Sequence, residues 1–174
     1  MRLFIAIPMK NEMKERIKDV QVQLLRQHVH GNYTPSENLH ITLAFIGEFG
    51  DPDQVLDVIE TVRFRPFTIT MDRLCQFDRL WWTGLSRCPE LETLANNVRY
   101  ALAEKGIPFD RKRFQPHITV LRKSEYDLGD LEPVFVAPAS MWVDSFSLMQ
   151  STRGKNGMIY TELGSIPASE GVVP

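Results

Sequence analysis

Residues 39–46 read LHITLAFI, and residues 116–121 read PHITVL. Both stretches are rich in β-branched and apolar residues and fit short strands. Side chains alternate along a strand, so His40, Thr42, Ala44 and Ile46 are expected on one side of the first, with Leu39, Ile41, Leu43 and Phe45 on the other. In the second, His117, Thr119 and Leu121 should share a side. Four His and ten Thr placed at random in 174 residues would give about 0.2 His-x-Thr pairs. Two occur, so the chain reads as two related halves, each presenting an imidazole one step from a hydroxyl on a strand face.

The flanking sequence supplies elements of both kinds. RLFIAIP (2–8) reads as a buried first strand, and Asn11 as the cap of a helix whose apolar face is Met13, Ile17, Val20 and Leu24. Asp51 and Pro52 are the N-cap and first position of a second helix carrying Val55, Ile59 and Val62. FTITMDRLC (67–75) and LWWTGL (80–85) read as strands. Pro89 opens a third helix with Leu91, Leu94, Val98, Ala101 and Leu102 inward and Gly106 as its stop. Residues 141–149 and 158–163 read as two further strands around a turn at 154–157, and 166–174 as a flexible tail. No low-complexity linker divides the chain, so residues 1–174 are expected to form a single domain.

Composition narrows the class. With 43% apolar residues the chain can bury a core without metals or disulfides, and a net charge of −2 argues against wrapping long nucleic acid. A nucleic-acid substrate is then expected at an end or short segment. Cys75 and Cys88 form neither a CxxC pair nor a framework, and read as reduced thiols. The opening MRLFIAIPMKNEMK is too briefly apolar for a leader or a membrane span, so a soluble cytoplasmic protein without membrane association is expected.

Imidazole titrates near ~6.5, so of two facing histidines one can accept a proton while the other donates one. In-line displacement at phosphorus needs such a pair: a base for water, an acid for the departing ribose oxygen, and hydroxyls on the non-bridging oxygens. A lone strand histidine is explained by hydrogen bonding alone; duplication with threonine favours chemistry, although a structural or merely ligand-binding pair remains the bland alternative. A zinc site would want an HExxH, a CxxC or an acidic partner, and none is present at ligand spacing. No local feature lowers the pKa of either cysteine, and His28 and His30 read as solvated. Arg111, Lys112 and Arg113 could draw an RNA backbone toward the cleft or be a solvated loop. Arg122 reaches the His117 face only if the strand ends or bulges before it. Trp81 and Trp82 could stack on a base, but at most one of two strand neighbours can face the cleft, and core packing is the favoured reading.

The opening MRLFIAI, the NLHITLAFIGE and QPHITVLR segments and the closing STRGKNGMIYTELGSI together resemble the two-histidine phosphoesterase superfamily, specifically the RNA 2',3'-cyclic phosphodiesterases once called 2'-5' RNA ligases. The resemblance spans nearly the whole chain. It implies an α+β fold of two similar α/β lobes with antiparallel sheets around a central cleft, one His-x-Thr motif from each lobe. It further implies His40 as proton donor to the leaving oxygen, His117 as the acceptor that activates water, and Thr42 and Thr119 on the phosphate. No metal or cofactor is implied. The expected reaction is hydrolysis of RNA ends or small cyclic nucleotides bearing a 2',3'-cyclic phosphate to 2'-phosphomonoesters, by a monomer. The alternatives are a 2',5'-phosphodiester ligase or nuclease using the same residues, and a non-catalytic module that binds RNA ends or nucleotides.

Overall fold

The computed structural model describes residues 1–169. Nine strands and three α-helices follow one another as β1 (Arg2–Pro8), α1 (Asn11–Arg26), β2 (Asn32–Tyr33), β3 (His40–Glu48), α2 (Pro52–Ile59), β4 (Phe67–Phe77), β5 (Leu80–Leu85), α3 (Pro89–Glu104), β6 (His117–Arg122), β7 (Ala139–Val143), β8 (Ser145–Gly154) and β9 (Gly157–Pro167). They build two antiparallel sheets, one ordered β3-β1-β8-β9 and the other β2-β6-β5-β4-β7. The expected α+β architecture, with one His-x-Thr strand in each sheet, is present. The first and third helices back the sheets crosswise, α1 packing on β6 and β7 and α3 on β3, with α3 also touching β4, while α2 packs on α3 and β9.

The amphipathic reading of α1 is met in full, since Met13, Ile17, Val20 and Leu24 are all completely buried. Truncating one of them to alanine would cost about 2–5 kcal/mol. Asn11 is the first helical residue rather than the cap; Lys10 occupies the N-cap position in extended backbone and makes no side-chain cap bond. Asp51 does cap α2, its carboxylate accepting from the Gln54 backbone N–H at 3.2 Å with Pro52 next in line. Gly106 follows α3 at φ +70°, the left-handed conformation that ends a helix most cheaply in glycine.

Two expectations about the last third of the chain are corrected. Residues 141–149 are not one strand. The ladder breaks at Asp144, with β7 pairing β4 in one sheet and β8 pairing β1 in the other, so this residue hands the chain between sheets. Nor is residue 166 the start of a tail: Ile166 and Pro167 end β9, Ile166 is only 5% exposed, and the Ala168 and Ser169 N–H groups donate to Asp144 and Phe64 carbonyls. The rest of that stretch, 170–174, lies outside the described residues. Among the described residues no helix is long and apolar enough to cross a membrane.

Candidate active site

β3 presents His40 and Thr42 opposite Pro8 and Ala6 of β1. The register then slips: Ala6 pairs Thr42 but Ile5 pairs Ala44, leaving Leu43 extra, and a second slip leaves Ile46 extra. Each β-bulge inverts the alternation beyond it. The expected faces hold for His40 and Thr42 and fail afterward. Ala44 and Ile46 turn into the core with Leu43, whereas Phe45 joins His40 and Thr42 along the cleft.

β6 repeats the device. His117 pairs Gly84, so no side chain stands directly opposite the ring, and Thr119 pairs Trp82. Trp81 then pairs Leu121, which leaves Val120 extra. Leu121 therefore leaves the His117 face for the core, completely buried against an equally buried Trp81. Arg122 is returned to the cleft, meeting the condition on which its reach depended. The third residue after each motif threonine, Phe45 in one strand and Arg122 in the other, is thus brought by a bulge to the same station.

At Leu43 and at Val120 the carbonyl of the extra residue is met by a helix side chain, and that of Val120 also accepts the Thr34 backbone N–H at 3.0 Å. Arg99 on α3 donates from Nε to the Leu43 carbonyl at 3.0 Å and from Nη1 to that of Lys112 at 2.7 Å. Gln21 on α1 donates from Nε2 to the Val120 carbonyl at 3.1 Å and to that of Thr34 at 2.9 Å. Neither residue announces this in sequence, because the acceptor is a backbone group whose need arises only from the bulge.

The two imidazoles are anchored alike. His40 Nδ1–H donates to the carbonyl of Asn38 at 2.6 Å, and His117 Nδ1–H to that of Gln115 at 2.8 Å, in both cases two residues back. With Nδ1 so committed, Nε2 is the working nitrogen of each ring. Around the rings the halves differ. His40 Nε2 lies 3.0 Å from Thr42 Oγ1, and the ring is flanked by Phe4 at 5.1 Å and by Tyr160, edge to face, at 5.3 Å between centroids. Burial, and then the positive charges of Arg122 and His117, push the His40 imidazole below its ordinary value against the opposing Asn38 carbonyl. His117 is half-buried with the Trp82 ring at 6.4 Å, and among the described residues no hydrogen bond joins it to Thr119. Asn38 is held in turn, its side chain donating to the Met158 carbonyl at 2.9 Å.

Two cavities, of about 420 and 660 Å³, meet at His40, Arg122, Met158 and Tyr160. Thr119 lines the smaller and Thr42 the larger, so three of the four expected residues border the cleft; His117 stands beside it without lining either arm. Asn38, Tyr160 and Phe4 were not singled out by the sequence. Arg111, Lys112 and Arg113 are exposed and line neither cavity, Arg111 lying over the Phe109 ring at 4.8 Å. His28 and His30 are exposed, as expected.

Comparison with known proteins gives a consistent answer. A Thermotoga maritima protein named RNA 2',3'-cyclic phosphodiesterase is 31% identical, with 94% of this chain and 93% of that protein covered. An Escherichia coli protein of the same name is 32% identical, with 93% of each covered. The crystal structure of apo E. coli LigT superposes with a TM-score of 0.81 at 30% identity, over 97% of this chain and 98% of that one. The same protein complexed with 3'-AMP superposes at 0.79. The sequence pattern of the 2'-5' RNA ligase superfamily matches residues 11–155, and the chain belongs to that superfamily.

Proposed function

We propose that this protein is a metal-independent RNA 2',3'-cyclic phosphodiesterase that opens the cyclic phosphate at an RNA or nucleoside end to a 2'-phosphomonoester. Relatives about 31% identical over nearly their whole length carry that activity in their names. The single observation that carries the reading is the pair of imidazoles, each with Nδ1 tied to a carbonyl and Nε2 left to work, beside a cleft that also receives Arg122.

In this reading His117 takes a proton from water as its oxygen attacks phosphorus, and the P–O3' bond breaks as His40 delivers a proton to O3'. Thr42 and Thr119 donate to the non-bridging oxygens, and Arg122 offsets the charge that builds there. His40 must carry a proton, and burial and the nearby Arg122 guanidinium hold its imidazole below the ordinary value. An anionic phosphate acts in the opposite sense and favours the charged ring, whose Nε2–H is the one free to be delivered because Nδ1–H is held by the Asn38 carbonyl. The reading includes one domain, 1–174, acting as a cytoplasmic monomer.

Phosphorus NMR on an oligonucleotide with a defined 2',3'-cyclic phosphate end, with chelator present, tests it. The expected outcome is conversion to the 2'-phosphate. Turnover of a 2',5'-linked dinucleotide, with the cyclic phosphate untouched, would instead assign the site to the ligase reaction that the superfamily name describes, or to its reverse as a nuclease. Binding without product, with chelator and after divalent metal is restored, would make it a recognition module.

A further inference from the structure

The two arms of the cleft differ in charge. Beyond the residues they share, the smaller arm is lined by uncharged groups, among them Asn32, Tyr33, Asn38 and Asn156. The larger arm adds two guanidiniums, Arg2 and Arg153, and one carboxylate, Glu48, whose Oε2 lies 3.3 Å from the Met1 nitrogen. In a chain of net charge −2, Arg2 and Arg153 are thus added on one arm to the Arg122 guanidinium at the junction. Among the described residues neither Arg2 nor Arg153 forms an ion pair. Arg2 sits over the Phe45 ring at 4.9 Å, a stacking that holds the planar fork while leaving its N–H edge free. Register places these groups on the face that bears the motif: Arg2 pairs Ser151 and Glu48, and Phe4, two residues on, pairs Phe45.

Resting on the function proposed above, we propose that the larger arm is a subsite for the phosphodiester on the 5' side of the reacting ribose, held by Arg2 and Arg153, so that the substrate is the end of an RNA chain rather than a free mononucleotide. The connectivity of the substrate fits the asymmetry. With the cyclic phosphate at the junction of the arms, the ribose sends its base one way from C1' and the rest of the chain another way through O5'. A base needs amide and aromatic groups, which the uncharged arm offers. A phosphodiester needs cations, and the other arm concentrates them.

The test compares cytidine 2',3'-cyclic phosphate with a dinucleotide carrying the same cyclic end, and with that dinucleotide bearing an uncharged methylphosphonate linkage. The dinucleotide should have the higher kcat/KM by about tenfold or more, through KM, with a salt dependence steeper by about 0.7 in logarithmic slope for its one extra phosphate. The ratio of dinucleotide to mononucleotide kcat/KM should fall toward one in an Arg2→Gln, Arg153→Gln double variant and with the methylphosphonate. Calorimetry with the corresponding 2'-phosphate products makes the same comparison without turnover. A ratio near one in the unaltered protein, or one untouched by the double variant or by the neutral linkage, overturns the subsite while leaving the hydrolysis standing. If neither cyclic phosphate is consumed yet the dinucleotide product binds more tightly in an arginine-dependent way, the subsite stands and the proposed reaction falls.

Discussion

The strands carrying His40 and His117 share their motif, their i−2 carbonyl anchor and their bulge, yet they surround the same ring differently. His40 is packed against Phe4 and Tyr160 and touched by Thr42, whereas His117 has the edge of Trp82 and a glycine opposite. At the station each bulge creates, one half offers the neutral ring of Phe45 and the other the guanidinium of Arg122. A scaffold used twice thus yields two environments for one side-chain type, which is the requirement for splitting acid from base between like groups. The lesson is that the repeat supplies positions and the departures from it supply roles.

The hardest test of that comparison is to delete each ring. His40→Ala and His117→Ala should each lower kcat/KM by about 10²- to 10⁴-fold with the circular dichroism spectrum retained, and the double variant should fall little further because both act in one step. Either single variant staying within tenfold of the unaltered protein would end the pairing. Next in size, Arg122→Gln should cost about 10²-fold in kcat, as removal of one preorganised donor does, while Phe45→Leu at the matching station changes it far less. Equal losses would mean that the two stations do equivalent work.

Smaller effects separate the supports. Gln21→Leu leaves the Val120 carbonyl with the Thr34 N–H alone and should lower stability to urea by about 1 kcal/mol, whereas Arg99→Leu, which removes the side-chain donor at Leu43, should cost about 1–3 kcal/mol. Only the Gln21 variant should also lower kcat, since Arg122 follows the bulge it supports. The least effect concerns pH. Because the folded-state pKa of His40 is lowered, the unfolded chain binds its proton first on acidification. The stability present above the ordinary imidazole range, near ~6.5, is lost progressively as pH falls through that value toward the folded pKa. His40→Gln should flatten that part of a plot of unfolding free energy against pH; a curve of unchanged slope would show that His40 does not carry it.

What the sequence revealed and what it hid divide along a physical line. Helix faces were legible because burial at Met13, Ile17, Val20 and Leu24 imposes a period that the order of residues displays. The His-x-Thr pairs were legible because identity and spacing coincide twice. The bulges were not, since strict alternation has no place for an extra residue. Their trace is present only as two adjacent apolar residues that are both buried, Leu43-Ala44 and Val120-Leu121. Reading those pairs as alternating misplaced Ala44, Phe45, Ile46 and Leu121 and left Arg122 conditional. The break at Asp144 was hidden for a related reason: one apolar stretch can feed two sheets, and only long-range pairing decides where it divides.

The crosswise placement of strands and helices carries a last consequence. Cut between Leu85 and Pro89, the chain would yield two pieces, neither holding a complete layer: the first would lack β8 and β9 for its β1, and the second would lack the β5 edge on which β6 hangs. The pair of sites cannot therefore have independent folding histories. The His40 ring acquires its setting only when Tyr160, 120 residues on, has met it, and the β6 strand of His117 is edged by β2, with Asn32 and Arg122 paired 90 residues apart, so the cleft is built from long-range pairings that carry a loop-closure cost.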